Sequence, residues 1–303
     1  MTADLPRPTQ LVRAPRLAAR LGVDLTLIVE TFQETGSFKF RAAWNVVRSA
    51  PNERFVTVSS GNFGQALARA AALAGKRAIV AMPAQSAQVK VDAVRSWGAE
   101  VDLFDTAATS RATRLAELAA AYPDAYVASP YDDPRVIAGN ASLGREIAER
   151  LSEVEAVIVP VGGGGIAAGV VTGLRERGHG AEVWGAEPLV ANDAARSLRS
   201  GRIESNPSES DSLADGARTP SLGRHNWEIL RDGLAGIVEV PEVAIAEAVR
   251  LLFGLANLKA EPTGALSSGA LIIDGARFAG RRVGAVVSGG NVDPGVYARL
   301  LSG

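Results

Sequence analysis

A chain of 303 residues with 47% hydrophobic and 21% charged side chains can bury a sizeable core and has the balance of an ordinary globular protein. A net charge of −1 and a pI near 6.2 give no field to attract nucleic acid or an anionic membrane. Zero cysteines exclude disulfides, thiolate nucleophiles and Cys-ligated metals, two histidines leave little for a His-based triad, and no apolar run reaches membrane-spanning length, so the expected location is the cytoplasm.

Taken in order, the pattern predicts a short helix from Ala14 to Leu21, a strand from Leu25 to Glu30 and a helix from Arg41 to Ser49. A strand at Phe55–Val58 runs into Ser59-Ser60-Gly61-Asn62 and an alanine-rich helix, Phe63–Ala74. Strand and helix then alternate: Ala78–Met82, Ser86–Trp97, Glu100–Phe104, Ala107–Tyr122, Ala125–Ala128, Val136–Leu151. The apolar strand Ala156–Val161 leads into four glycines that open a helix, and Val183–Glu187 reads as a further strand. Residues 201–224 are polar and loop-like. Helices at Glu242–Leu258 and Gly264–Gly275, a strand at Arg282–Val287 and a short last helix complete the chain. This alternation predicts an α/β architecture with mostly parallel sheets.

Four turns are expected at the carboxyl ends of strands, where α/β sheets bind ligands. The first is Thr35-Gly36-Ser37-Phe38-Lys39-Phe40-Arg41. Only four of the 32 cationic side chains are lysine, and Lys76, Lys90 and Lys259 read as solvated surface groups. Lys39 stands between Phe38 and Phe40, and an amine among apolar groups is disfavoured as a cation and suited to attack a carbonyl. The plain alternative is a buried lysine paired to a carboxylate, or one that reaches the surface. The second turn, Ser59 to Asn62, suits a carboxylate or other anion, or is an ordinary helix cap. The third, Gly162-Gly163-Gly164-Gly165, lets backbone N–H groups converge on a phosphate. Residues 163–168 also fit the dinucleotide pattern GxGxxA, with Glu187 as the ribose contact, so an oxidoreductase reading stays open here. The fourth, Ser288-Gly289-Gly290-Asn291, offers a hydroxyl to a ring nitrogen, or is a plain turn. An amine, a single-phosphate cradle, an amide and a hydroxyl together describe a pyridoxal phosphate pocket.

The blocks VETFQETGSFKFRAA, SSGNFGQALA, VPVGGGGIAAG, GAEP, LADGA, EPTGA and SGGNVDPG resemble, in order, those of the serine/threonine dehydratase and serine racemase family, pyridoxal-phosphate enzymes of the tryptophan synthase β fold type (fold type II). The resemblance spans nearly the whole chain. It implies two α/β domains, a smaller one at 53–131 inserted in a larger one of 1–52 plus 132–303, with the pocket between. It implies Lys39 as the Schiff-base lysine and catalytic base and Phe38 beside the cofactor ring. Asn62 would meet the ring hydroxyl, Gly162 to Gly165 the phosphate, Ser288 the pyridine nitrogen, and Glu261 would lie near the ring. Ser59, Ser60, Gly61 and Asn62 would receive the substrate carboxylate, with Ser60 as the second catalytic group, facing Cα opposite the lysine. Glu187, the carbonyl of Ala191 and Asp193 match the family's cation site, for Mg²⁺, Ca²⁺ or a monovalent cation. The implied activity is elimination of water from a β-hydroxy amino acid, giving a 2-oxo acid and ammonia, with serine racemisation as the alternative, in a homodimer acting on a small-molecule substrate. Two residues depart from the family pattern: Phe63 stands where histidine is common, and Ala42 replaces a glycine.

Overall fold

The computed structural model describes residues 5–86 and 88–303. Its strands form two sheets. The larger has six strands: β1 (Gln10–Arg13), β2 (Asp24–Val29), β7 (Ala156–Pro160), β8 (Glu182–Pro188), β9 (Gly236–Val240) and β10 (Arg282–Val287), in the order β1-β2-β10-β7-β8-β9. All neighbours are parallel except β1, which runs antiparallel along the edge of β2. Every residue of β7 is buried, as a strand covered on both faces requires. The smaller sheet is wholly parallel, with β3 (Arg54–Val58), β4 (Arg77–Pro83), β5 (Glu100–Phe104) and β6 (Tyr126–Val127) in the order β5-β4-β3-β6.

Helices cover both sheets. Helix α1 (Pro15–Leu21) packs with α10 (Glu242–Ala256) and α11 (Pro262–Asp274) on one face of the larger sheet, around Leu17, Ile245, Leu252 and Leu266. On the other face lie α6 (Pro134–Arg150), α7 (Gly165–Glu176) and α9 (Arg224–Leu230), burying Leu143, Ile147, Val170 and Trp227. Helix α6 starts where Pro134 takes the first position and the Asp133 carboxylate accepts the Arg135 N–H at 2.7 Å. Helix α2 (Lys39–Ser49) contributes Phe40, Val46 and Val47 to the core that also holds Phe55, Leu67 and Met82, next to α3 (Asn62–Leu73). It therefore ties the smaller sheet to the lysine turn. Helices α4 (Gln88–Ser96), α5 (Arg111–Ala121), α8 (Asp193–Ser200) and α12 (Pro294–Ser302) complete the set.

Most sequence-predicted elements appear within a few residues of their expected ends. Four elements were not anticipated: β1, α8, α9 and β9. The loop expected at 201–224 runs into α9 at Arg224 and holds a short 3-10 turn at Asp215–Ala217. Among the described residues no helix is long and apolar enough to cross a membrane.

Candidate active site

The lysine turn is held from several sides. Gly36 has a φ of 75°, a left-handed conformation, and a Cβ there would strike the Asn291 amide. Ser37 bridges to Gly289, and the Phe38 N–H donates to the Ser288 carbonyl at 2.9 Å, so the first and last turns of the site are joined. Two residues beyond Lys39, Arg41 is fully buried. Its guanidinium donates to Glu30 at 2.6 Å, to Glu146 at 2.6 Å and to the Ser142 hydroxyl at 2.9 Å. These partners come from the end of β2 and from α6, so the first turn of α2 is fixed between them.

Lys39 is half-buried, and its amine donates to the Pro130 carbonyl at 2.6 Å. The ring centroids of Phe38 and Phe63 lie 5.0 and 5.9 Å from Nζ. Burial lowers its pKa to about 8, partly offset by the Glu261 carboxylate. Among the described residues no carboxylate pairs with it directly, which removes the plain reading of a salt-bridged lysine. Phe63 is 2% exposed, so it joins the core and adds apolar surface beside the amine. Ala42, fully buried, is accommodated where α2 meets Gly139 of α6, a position at which a second Cβ would come within 2.9 Å of the Ala42 Cα.

At the second turn, the Ser59 hydroxyl accepts the N–H groups of Gly61 at 3.4 Å and Gly64 at 3.2 Å. That side chain caps α3, as the plainer reading had it. Ser60 and Asn62 are half-buried, and a Cβ on Gly61 would meet nothing within 4 Å, so the turn opens on space.

The four glycines end β7 and start α7, with Gly164 at a φ of 90° as the cap residue. Their N–H groups stand at a helix start and have no intrahelical acceptor. Each glycine is hemmed in: a Cβ on Gly162 would come 2.9 Å from the Ala217 Cα, and one on Gly163 would enter the Tyr131 ring. The walls of this cradle include two residues that sequence reasoning missed. Tyr131 follows Pro130, the lysine's acceptor, and its ring lies against Gly163; burial raises its pKa, as do Asp132 and Asp193. Thr219 carries a buried hydroxyl without a partner among the described residues, 3.4 Å from the position of a Gly162 Cβ. A lone hydroxyl in a polar loop carries no local sequence signal, so only the fold brings it here.

At the fourth turn, Ser288 is 1% exposed and its hydroxyl has no partner among the described residues. Beside it runs an amide chain: Asn291 Nδ2 donates to the Thr35 carbonyl at 2.7 Å and to Asn62 Oδ1 at 2.8 Å, and Asn62 Nδ2 donates to Glu261 Oε1 at 2.8 Å. Asn291 thus fixes which way the Asn62 amide faces. Burial raises the Glu261 pKa to about 8, Asp215 adding to the rise.

Glu187, Ala191 and Asp193 come together at the start of α8, all fully buried. Both Glu187 oxygens accept backbone N–H groups, from Ala194 and Ala195 at 2.9 Å each, so this side chain caps α8 and is not free for a ribose. Asp193 accepts Asn206 Nδ2 at 2.7 Å through Oδ1, while its Oδ2 is buried without a partner among the described residues. Burial raises both pKa values, that of Asp193 to about 6, and Asp193 pushes Glu187 further. Among the described residues no three His, Cys, Asp or Glu side chains gather as a metal cluster. Lys76, expected on the surface, instead donates to the carbonyls of Val47 and Ala50 at 3.1 and 3.0 Å and caps the end of α2.

Known proteins resemble this chain over nearly its whole length. The sequence model of the family described as "Pyridoxal-phosphate dependent enzyme" matches residues 2–289. The L-threo-3-hydroxyaspartate ammonia-lyase of Saccharomyces cerevisiae is 33% identical over 299 residues, covering 97% of this chain and 91% of that protein. Among solved structures, a threonine deaminase from T.th. is 39% identical with a TM-score of 0.87, covering 95% and 93% of the two chains. Maize serine racemase is 29% identical with a TM-score of 0.90, covering 98% and 92%. The unpartnered Ser288 hydroxyl, the cradle that any Cβ would fill and the desolvated Lys39 amine fit pyridoxal phosphate. The sheets and helices are those of the two-domain fold type II architecture, and the dinucleotide reading is set aside.

Proposed function

The chain belongs to the pyridoxal-phosphate dependent enzymes, with relatives that eliminate from or racemise amino acids, and from that premise we propose that it acts at Cα of a β-hydroxy amino acid. Two outcomes share the first step. Racemisation returns a proton to the other face of Cα; elimination releases the β-hydroxyl as water, and hydrolysis leaves a 2-oxo acid and ammonia. The reading rests on one pairing, a desolvated amine at Lys39 and a hydroxyl at Ser60 on the open turn before α3. Racemisation needs a proton carrier on the second face of Cα, the role proposed for Ser60, whereas the proton that elimination needs for its departing hydroxyl can come from elsewhere; the serine racemase relative supports the first outcome and the ammonia-lyase relative supports elimination as the second reading.

When bound, pyridoxal phosphate supplies the electron sink that makes the Cα proton acidic. The N–H groups of Gly162 to Gly165 would hold its phosphate, Asn62 its ring hydroxyl and Ser288 its ring nitrogen, with Phe38 and Glu261 beside the ring. A neutral hydroxyl at Ser288 leaves that nitrogen weakly protonated, which moderates the sink and disfavours transamination. Lys39 Nζ takes the Cα proton as general base, suited to this by a pKa near 8. Ser60, the Gly61 N–H and Asn62 receive the substrate carboxylate; Ser59 supports the turn through its cap. Closure of residues 53–131 on 1–52 plus 132–303 would exclude water, and a homodimer is the proposed assembly.

The cation reading is kept for the start of α8. Two buried carboxylates, with Asp193 raising the Glu187 pKa and Asp193 Oδ2 unpartnered among the described residues, and the buried Ala191 two residues before Asp193, suit Mg²⁺, Ca²⁺ or a monovalent cation. A thermal unfolding series with and without each ion tests it; no shift with any would discard it. The activity itself is tested by incubating the holoenzyme with L-serine, L-threonine and related β-hydroxy amino acids, assaying 2-oxo acid and resolving the amino acid enantiomers. Ser60→Ala is expected to suppress racemisation more than elimination. Equal loss of both removes the Ser60 role, and no product from any substrate removes the function.

A further inference from the structure

One buried amide joins the glycine cradle to the loop that meets the lysine. Asn226, in the first turn of α9, is fully buried, and its Nδ2 donates to the Gly163 carbonyl at 2.6 Å and to the Tyr131 carbonyl at 3.1 Å. Gly163 lies in the cradle, and Tyr131 follows Pro130, whose carbonyl accepts the Lys39 amine. The Tyr131 carbonyl has no other donor among the described residues. Two carbonyl oxygens aimed at one buried point repel each other, and an uncharged group with two N–H donors satisfies both. A primary amide supplies that pair. Turned the other way it would set Oδ1 against both oxygens, so its orientation is fixed by its surroundings, with Oδ1 left buried and without a partner among the described residues.

The Gly163 carbonyl is held a second time, by the Gly223 N–H at 3.0 Å. With two donors on one oxygen, the peptide between Gly163 and Gly164 cannot rotate without losing both. A trans peptide directs its N–H opposite to its carbonyl, so the Gly164 N–H is turned away from α9. None of the N–H groups of Gly162 to Gly165 donates to a protein acceptor among the described residues. The Gly164 N–H is therefore an open donor with a set direction. A second buried amide, Asn140, donates to the Gly165 carbonyl at 3.0 Å, but Gly165 is already in α7, and the helix itself sets that carbonyl. Gly163 precedes the helix, and its peptide depends on Asn226 and Gly223.

Resting on the placement of the phosphate at the four glycines proposed above, we infer that Asn226 is a positioning residue for the cofactor, presetting the Gly164 N–H as a phosphate donor and tying the cradle to the loop that carries the lysine's acceptor. Its contribution falls on the phosphate group and not on the aldehyde.

The apoprotein is titrated with pyridoxal phosphate and with pyridoxal, the same aldehyde without the phosphate, and both Kd values are read from the visible imine band. Effects on Lys39 or on the ring contacts enter both titrations and cancel in their ratio. Asn226→Leu, close to the amide in shape but without its donors, is expected to lower the preference for pyridoxal phosphate at least about tenfold, with the pyridoxal Kd within about threefold of the unsubstituted protein. Asn226→Ser keeps one donor and should lower the preference by a smaller factor; it carries the test if circular dichroism shows the leucine variant unfolded. Asn45→Leu removes another half-buried amide, whose Nδ2 donates to the Arg135 carbonyl at 2.7 Å away from the cradle, and should leave the ratio within about twofold. An unchanged ratio in the folded Asn226 variants overturns the inference, as does an equal loss for both aldehydes. Gly163→Ala tests the placement beneath it. If that substitution leaves the preference for pyridoxal phosphate intact, the phosphate placement falls and takes the inference with it. If it removes the preference while Asn226→Leu retains it, the placement stands and the role of Asn226 falls.

Discussion

Two cationic side chains, Arg41 and Lys90, are held in opposite ways. Arg41 is fully buried between Glu30 and Glu146, with hydrogen bonds of 2.6 Å to each, and cannot move without leaving two carboxylates stranded. Lys90 meets one exposed carboxylate at 3.3 Å. The first arrangement is expensive in desolvation and gives geometry in return: it fixes the helix turn on which Lys39 stands. The second contributes little to stability.

Substitutions can break or sharpen this contrast. The largest effect is expected at the amine itself: Lys39→Ala should reduce turnover at least about a thousandfold with the fold retained, checked by steady-state assay and circular dichroism. Arg41→Met strands both carboxylates and should cost about 3–5 kcal/mol of stability by urea denaturation, with cofactor binding weakened as the lysine turn loosens. Gly163→Ala drives a methyl into the Tyr131 ring and should cost about 1–3 kcal/mol, together with weaker binding of pyridoxal phosphate in a fluorescence titration.

A pH series separates Glu261 from Lys39. The Glu261 pKa of about 8 lies above its ordinary 4.5, so the folded protein holds that proton more tightly, and apoprotein stability falls as pH rises from 4.5 to 8. Lys39 runs the other way. Its pKa of about 8 lies below 10.5, so the unfolded chain binds the proton more tightly and stability rises from pH 8 to 10.5. Each group contributes at most about 1.4 kcal/mol per pH unit. The stability of the apoprotein should therefore pass through a minimum near pH 8, and Glu261→Gln should make the acidic limb shallower, the remainder belonging to Glu187 and Asp193, whose pKa values are also raised. The smallest effect is expected at the loose pair, where Asp215→Asn should change stability by less than about 1 kcal/mol. A larger loss would mean that Lys90 and Asp215 belong to the rigid side after all.

The sequence carried the parts of the site that are local. Lys39, Asn62, the four glycines and Ser288 each lie in a turn that follows a strand or at the helix start that the turn leads into, and the alternation of strand and helix already placed those turns at the carboxyl ends of strands. What it hid depends on distant partners. Helix α8 is capped by Glu187 of the preceding strand, and α9 by Asp132, whose carboxylate accepts the Arg224 and His225 N–H groups at 3.0 and 2.9 Å from 92 and 93 residues away. Neither helix announces its start locally. β1 and β9 are short and lie at the two edges of the larger sheet, where little burial shapes the pattern. Tyr131 and Thr219 reach the cradle only through the fold, and Lys76 looked like a surface residue because the helix end it caps lies more than two dozen residues earlier.

The central claim is that one desolvated amine, Lys39, bonds the cofactor. The direct measurement is borohydride reduction of the purified protein with pyridoxal phosphate, followed by peptide mass mapping. The expected result is a visible absorption band that reduction removes, with the added pyridoxyl mass on the peptide that holds Lys39. The same mass on Lys76, Lys90 or Lys259, or on no lysine at all, would contradict it.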